Sequence, residues 1–397
     1  MPAVGFDTAV PALVVKAGRY PVHAGGLAAA RSLGRVGVPV AAMVDDVATP
    51  LAQSRYVKRR LPPLDPRAGA GAALTALRAA ALAVGGRPIA LATDDEAGVL
   101  LAELADDLVD VLRLPTCPPE LPRELASKAG LARACERAGV DTPLTWLPAS
   151  PQDVETVATQ ARFPIVLKNR DPFLRHTAAA VAATTVLDSP SAWRDWARER
   201  LDPRRPLLVQ EYVPPEAATM WFVHAYRASG SDEVLAFTAR KHRDFPVGSG
   251  PTTFAEWREE PGLRSRLVAA LRSWGYRGAC DVDVVHDARD DRWLVIDVNP
   301  RLGANLAGAV TTAGIDLPRA AHLDLTGRPW PEGEQVAPVF FRQELHDPAA
   351  VRGGAPEVAV PRGAPLVGAF AAPDDRRPAL VAAARHRVGR ARQRLGR

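Results

Sequence analysis

Asp297, Asn299 and Arg301 occupy alternate positions directly after the apolar run Leu294-Val295-Ile296, in the stretch LVIDVNPRLG. Side chains along a strand alternate between its faces, so a spacing of two puts a carboxylate, an amide and a guanidinium on one side. The longer stretch GACDVDVVHDARDDRWLVIDVNPR reads as two extended runs joined at Ala288, Arg289, Asp290 and Asp291, a hairpin signal. A turn centred near Asp290 sets Asp283 roughly opposite Asp297, and Asp281 roughly opposite Asn299. Facing like charges are destabilising unless something neutralises them. A hard divalent cation does so, because Mg²⁺ favours a couple of carboxylates and fills its other sites with phosphate oxygens and water. The alternative, a solvated acidic hairpin, fits less well, because solvated faces rarely interrupt β-branched runs so regularly.

Other charged residues sit inside or at the ends of apolar runs. Lys168 closes FPIVLK, where an ammonium is costly unless it meets an anion; a snorkelling strand-end lysine is the alternative. Gln210 and Glu211 end the run LLVQEYV before proline, as on a strand edge with backbone groups free for a ligand. Lys128 falls on a polar helix face, where solvent exposure alone accounts for it, and Lys241 lies in the basic ARKHRDF. TDDE (93–96) ends a predicted strand, where open α/β sheets place ligand groups, and reads equally well as a helix N-cap with acids complementing the dipole.

The elements that must position these residues follow from pattern. PALVV, LAAARSLGRVG, VPVAAMV, an Ala/Leu-rich helix from about residue 71 and RPIALAT alternate strand and helix signals, which predicts a parallel sheet with crossover helices. The glycine-bearing loop after the first strand lacks G-x-G-x-x-G, so it is no dinucleotide fingerprint. LPTCPPELP (114–122) marks a boundary, followed by one helix over RELASKAGLARACERAG, stopped by Gly139, and a strand starting near Thr142. FPIVLKN, VAATTVL, SAWRDWARERL, RPLLVQEYVPP, MWFVHAY and EVLAFTARKHR supply a second set of strands and helices, with another helix near 260–274. After about residue 331 the pattern weakens into Pro, Gly and Ala.

Composition narrows the function classes. With 397 residues, 47% hydrophobic and 24% charged, the chain holds two or three ordinary globular domains. Three widely spaced cysteines, Cys117, Cys135 and Cys280, make neither a disulfide framework nor a metal knuckle, and a reducing cytoplasm fits. No leader pattern and no bilayer-length apolar run is expected. The net charge of +5 comes from the end of the chain: residues 385–397 carry six arginines and no acid, which leaves −1 for the rest. Without interleaved aromatics the tail does not read single strands, and no nucleic acid is expected as a partner. Leu380, Ala384, Val388, Ala391 and Leu395 form one face of a basic amphipathic helix suited to weak contact with an anionic membrane surface.

Taken in order, the helix lysine, the strand lysine, Q-E-Y-V, the basic R-K and the acidic hairpin ending D-x-N-P-R closely resemble the ATP-grasp superfamily over roughly residues 10–330. ARSLGRVGVPV, SRYVKRRLPP, YVPP, ARKHRDFP, GYRGACDVDV and DVNPRL look most like its predicted carboxylate–amine ligases. The resemblance implies α/β plus α+β architecture. An N-terminal Rossmann-like (pre-ATP-grasp) domain, 1–118, would precede a two-lobed ATP-grasp domain with small lobe 119–205 and large lobe 206–330, then an extension, 331–397. It implies ATP and Mg²⁺ (or Mn²⁺) as cofactors, with Lys128 and Lys168 on the phosphates. Gln210, Glu211, Tyr212 and Val213 would meet adenine, and Glu216 the ribose. Asp283, Asp297 and Asn299 would hold the metal, and Arg301 and Lys241 would face the transferring phosphoryl group.

Two departures from the superfamily's pattern stand out. Asp297 replaces the more usual Glu, and the loop NRDPFLRHTAAA after Lys168 has no glycine, leaving Arg170, Arg175 and His176 as possible substitutes for a phosphate-cradling flap. The implied reaction is amide formation between small carboxylate and amine substrates through an acyl phosphate. The alternatives are a carboxylase or carbamoyl-forming enzyme on the same fold, and a non-catalytic nucleotide-binding protein.

Overall fold

The computed structural model describes residues 4–18, 24–65, 67–169, 181, 185–202, 204–248 and 250–395. Arg170, Arg175 and His176, the proposed flap cations, lie outside the described residues. The strands in chain order are β1 (Ala12–Val15), β2 (Val40–Met43), β3 (Val57–Leu61), β4 (Ile89–Ala92), β5 (Thr145–Trp146), β6 (Ile165–Asn169), β7 (Thr185–Leu187) and β8 (Leu207–Glu211). The chain continues with β9 (Ala218–Arg227), β10 (Val234–Asp244), β11 (Thr252–Trp257), β12 (Gly278–Asp287), β13 (Arg292–Asn299), β14 (Val339–Arg342) and β15 (Leu366–Gly368). It divides into two compact units, one of Met1–Pro122, Phe222–Asp281 and Asn299–Arg397, the other of Arg123–Trp221 and Val282–Val298.

In the first unit, a four-stranded sheet has the order β3-β2-β1-β4, and every described pair in it is parallel. The alternation of strand and helix signals predicts this arrangement. β1 is apolar and buried along its whole length, as a central strand covered on both faces must be. A seven-stranded sheet has the order β13-β12-β9-β10-β11-β14-β15. β11, β14 and β15 are strands that the sequence pattern does not announce, because they lie among Pro and Gly.

The TDDE segment takes its cap reading. Asp94 caps the helix Asp95–Glu103, accepting from the Ala97 amide at 2.9 Å, and the same carboxylate accepts from Ala17 at 3.0 Å and Gly18 at 3.1 Å in the loop after β1. Burial pushes its pKa up, against these three bonds. Gly98, on the same helix, lies against the Pro300 carbonyl, which a Cβ would strike. The segment after β13 is fixed here too, by the Leu302 amide donating to Ala92 O at 3.0 Å. Gly98→Ala is expected to destabilise the protein by about 1–3 kcal/mol, because the obstacle is backbone that cannot rotate away; the small propensity gain of Ala does not offset it. Urea denaturation checks this, and an unchanged midpoint contradicts it.

In the second unit, four strands run β5-β8-β6-β7, antiparallel throughout, over a core that includes Val157, Ile165, Leu167, Trp193 and Val209. Two sequence expectations are corrected here. The single helix before Gly139 is two, Leu121–Ala126 and Lys128–Ala138, because Ser127 turns extended and its hydroxyl accepts from the Gly130 amide at 2.9 Å. Gly139, at φ 62°, does stop the second helix. β8 is no edge. The short β5 covers it, and the Glu211 and Tyr212 amides donate to Leu144 O and Pro164 O, both at 3.0 Å.

The tail forms a helix, Arg377–Leu395. Ala382 is fully buried and Arg385 pairs with Asp46 at 3.0 Å, while Leu380 and Val388 are exposed. Among the described residues no helix is long and apolar enough to cross a membrane.

Candidate functional site

The second unit gathers four of the expected residues. Lys128 is the first residue of its helix, and its Nζ pairs with the Asp297 carboxylate on β13 and donates to Ile296 O at 3.0 Å. It is therefore held, where a polar helix face suggested mere exposure. Lys168, at the end of β6, donates to Gln210 Oε1 at 3.1 Å, and Gln210 Nε2 donates to Thr145 Oγ1 at 3.0 Å. Burial lowers the pKa of Lys168 from 10.5 to about 8; the nearby Lys128 lowers it further, and Asp297 opposes the shift. A desolvated ammonium beside a second ammonium is a place for an anion. The carboxylate there already takes a cation, so the donor chemistry suits a polyanion that arrives with a metal ion.

The remaining candidates of this unit are placed more loosely. Asp283 lies half-buried on β12. Glu211 Oε1 accepts from the Arg162 amide at 2.9 Å, so part of its carboxylate is engaged in structure. Tyr212 is half-buried, Val213 packs with Val285 and Leu294, and Glu216 is exposed ahead of β9. Among the described residues no group of three or more His, Cys, Asp or Glu is arranged to hold a metal ion.

In the first unit, Arg301 is clamped between two acids, with Nη1 2.6 Å from Asp281 Oδ2 and Nε 3.2 Å from Asp95 Oδ1. Asn299 donates its side-chain amide to Asp281 O at 3.2 Å. Burial alone would raise the Asp281 pKa, but His224 and Arg301 hold it well below the usual carboxylate range. His224, fully buried on β9, has Nε2 3.1 Å from Asp281 Oδ1. The close approach of Gly303, where a Cβ would strike the ring, leaves the imidazole no room to move. Lys241 on β10 is bound locally, to Gly250 O at 3.0 Å and Asp244 at 3.1 Å. His224 and the pairing of Asp95 are absent from the sequence expectations. A histidine inside the apolar run MWFVHAYR was the available signal.

A family model described as "Carbamoyl-phosphate synthase L chain, ATP binding domain" matches residues 233–323. No curated protein matches the chain in sequence. Among solved structures, the ADP complex of N5-carboxyaminoimidazole ribonucleotide synthetase is 16% identical, with a TM-score of 0.63 over 89% of this chain and 86% of that one. N5-carboxyaminoimidazole synthetase from Staphylococcus aureus is 11% identical, with a TM-score of 0.64 over 90% and 92%. The chain thus shares the fold of these enzymes, and residues 233–323 match an ATP-binding domain. Its fold is also similar to the biotin carboxylase domain of Hydrogenobacter thermophilus 2-oxoglutarate carboxylase, crystallised with MgADP, ADP and bicarbonate, at 14% identity and a TM-score of 0.58 over 82% and 71%.

Proposed function

We propose that this protein is an ATP-dependent carboxylate–amine ligase of the ATP-grasp type. The γ-phosphoryl group of ATP passes to a substrate carboxylate, an amine attacks the resulting acyl phosphate, and the products are an amide, ADP and phosphate. The observation that carries this reading is the Lys168, Lys128 and Asp297 arrangement, two ammonium groups that want an anion beside a carboxylate that takes a cation. Mg·ATP, when bound, supplies the phosphoryl group and part of the charge that neutralises it.

The chain's own residues bind and orient. Lys128 and Lys168 hold phosphate oxygens, Gln210 to Val213 border the adenine, and Glu216 holds the ribose. Asp283, Asp297 and Asn299 hold Mg²⁺. Arg301, fixed by Asp281 and Asp95, and Lys241 face the transferring group. Catalysis is then mostly positioning and charge stabilisation. On this reading the parallel sheet β3-β2-β1-β4 is the Rossmann-like pre-ATP-grasp domain, and two ATP-grasp lobes follow it, in a cytoplasmic enzyme.

A screen of carboxylate–amine pairs, read by phosphate release and product mass, tests the assignment. ADP release that needs both substrates supports it. The similar structure holding bicarbonate favours a second reading, a carboxylase or carbamoyl-forming enzyme. Incorporation of labelled bicarbonate into product identifies that enzyme and overturns the ligase. Tight nucleotide binding with no turnover on any pair identifies a nucleotide-binding protein without catalysis.

The exposed Leu380 and Val388 among arginines support weak, electrostatic contact of the tail with anionic membranes. Deleting residues 388–397, which spares the buried Ala382, is expected to remove salt-sensitive co-sedimentation with anionic vesicles while turnover survives. Equal pelleting of full-length and truncated protein contradicts the contact.

A further inference from the structure

We infer that Lys128 is an internal counter-ion that occupies the cation position of Asp297 until nucleotide arrives, so that divalent metal and nucleotide bind cooperatively. The inference rests on the reading of Asp297 as a metal ligand. Lys128 opens a helix, the end at which the macrodipole disfavours a cation. Its position is explained by what it touches, the Asp297 carboxylate and Ile296 O, both on β13. The ammonium has the place a metal ion bound to Asp297 would need.

The charge count then orders the binding events. Lys128 and Lys168 both bear on the Asp297 carboxylate, with Asp283 as the other acid of the proposed metal set, and Lys168 has only the neutral amide oxygen of Gln210 as its described hydrogen-bond partner. A divalent ion entering alone must displace Lys128 and leave both ammonium groups beside additional positive charge. A polyphosphate reverses this, because it gives both ammonium groups a new partner and releases Asp297 for the metal. Each ligand removes an obstacle to the other, and linkage makes the coupling reciprocal.

The probe is Mn²⁺ alone, titrated into nucleotide-free protein and followed by electron paramagnetic resonance. Lys128→Met and Lys128→Gln are expected to bind Mn²⁺ at least about tenfold tighter than wild type, a change of about 1.4 kcal/mol. Lys128→Arg, which keeps the cation, is expected to bind as weakly as wild type. Adding Asp297→Asn to Lys128→Met should abolish the gain. Two neutral variants guard against one failing to fold. If both bind Mn²⁺ no tighter than a wild type that takes Mg·ATP normally, the counter-ion role is overturned and the ligase reading stands. A gain that survives Asp297→Asn overturns the inference together with the assignment of Asp297. Wild-type protein that takes no Mg·ATP at all overturns the ligase reading and this inference with it.

Discussion

Asp297→Asn is expected to abolish turnover while leaving the protein folded. The side chain is about one-third exposed on β13, and its partner Lys128 retains access to water, so losing the ion pair costs about 1 kcal/mol or less. The chemical cost is larger. The charge that a metal ion neutralises on a transferring phosphoryl group is worth several kcal/mol, and about 4 kcal/mol corresponds to roughly a thousandfold in rate. ADP release measured on a variant with wild-type circular dichroism and melting checks the expectation. A folded variant turning over at the wild-type rate removes Asp297 from the site.

The hairpin that carries Asp297 was legible because a period of two in a β-branched run can be read without knowing what the strand packs against. The parallel sheet was legible through β1, β2 and β4, each a short buried run, whereas the exposed, basic β3 was not. The pairing of Lys128 with Asp297 was not, because 169 residues separate them and helix periodicity says only which face is polar. β8 was misread as an edge because the strand expected near Thr142, β5, is two residues long, and nothing in so short a run says which strand it covers. The clamp on Arg301 combines both cases. The alternation along β12 put Asp281 on the same face, opposite Asn299, without its bond to Arg301, whereas Asp95 comes from a helix that seats against Pro300 through Gly98.

Lys168→Met is expected to lower ATP affinity by about a factor of ten or more, the scale of a lost charge-assisted hydrogen bond of roughly 1.5–3 kcal/mol. Methionine keeps an unbranched stem at the end of β6, so the loss reports charge and not packing. The pH dependence separates Lys168 from other cations. Its pKa is lowered to about 8, chiefly by burial and then by Lys128, so the unliganded protein loses this charge as pH rises through about 8. Phosphate favours the charged form. Affinity is therefore full below about pH 8 and falls above it, and binding near pH 8.5 takes up a proton, measurable by calorimetry in buffers of different ionisation enthalpy. Between about 8 and the ordinary 10.5 the unfolded chain binds more protons at this position than the folded one, so the unliganded protein gains stability as pH rises through that window. Lys168→Met should lose both the proton uptake and the stability gain. If the variant binds ATP like wild type, with the same proton uptake, Lys168 closes its strand for structural reasons alone and the anion site lies elsewhere.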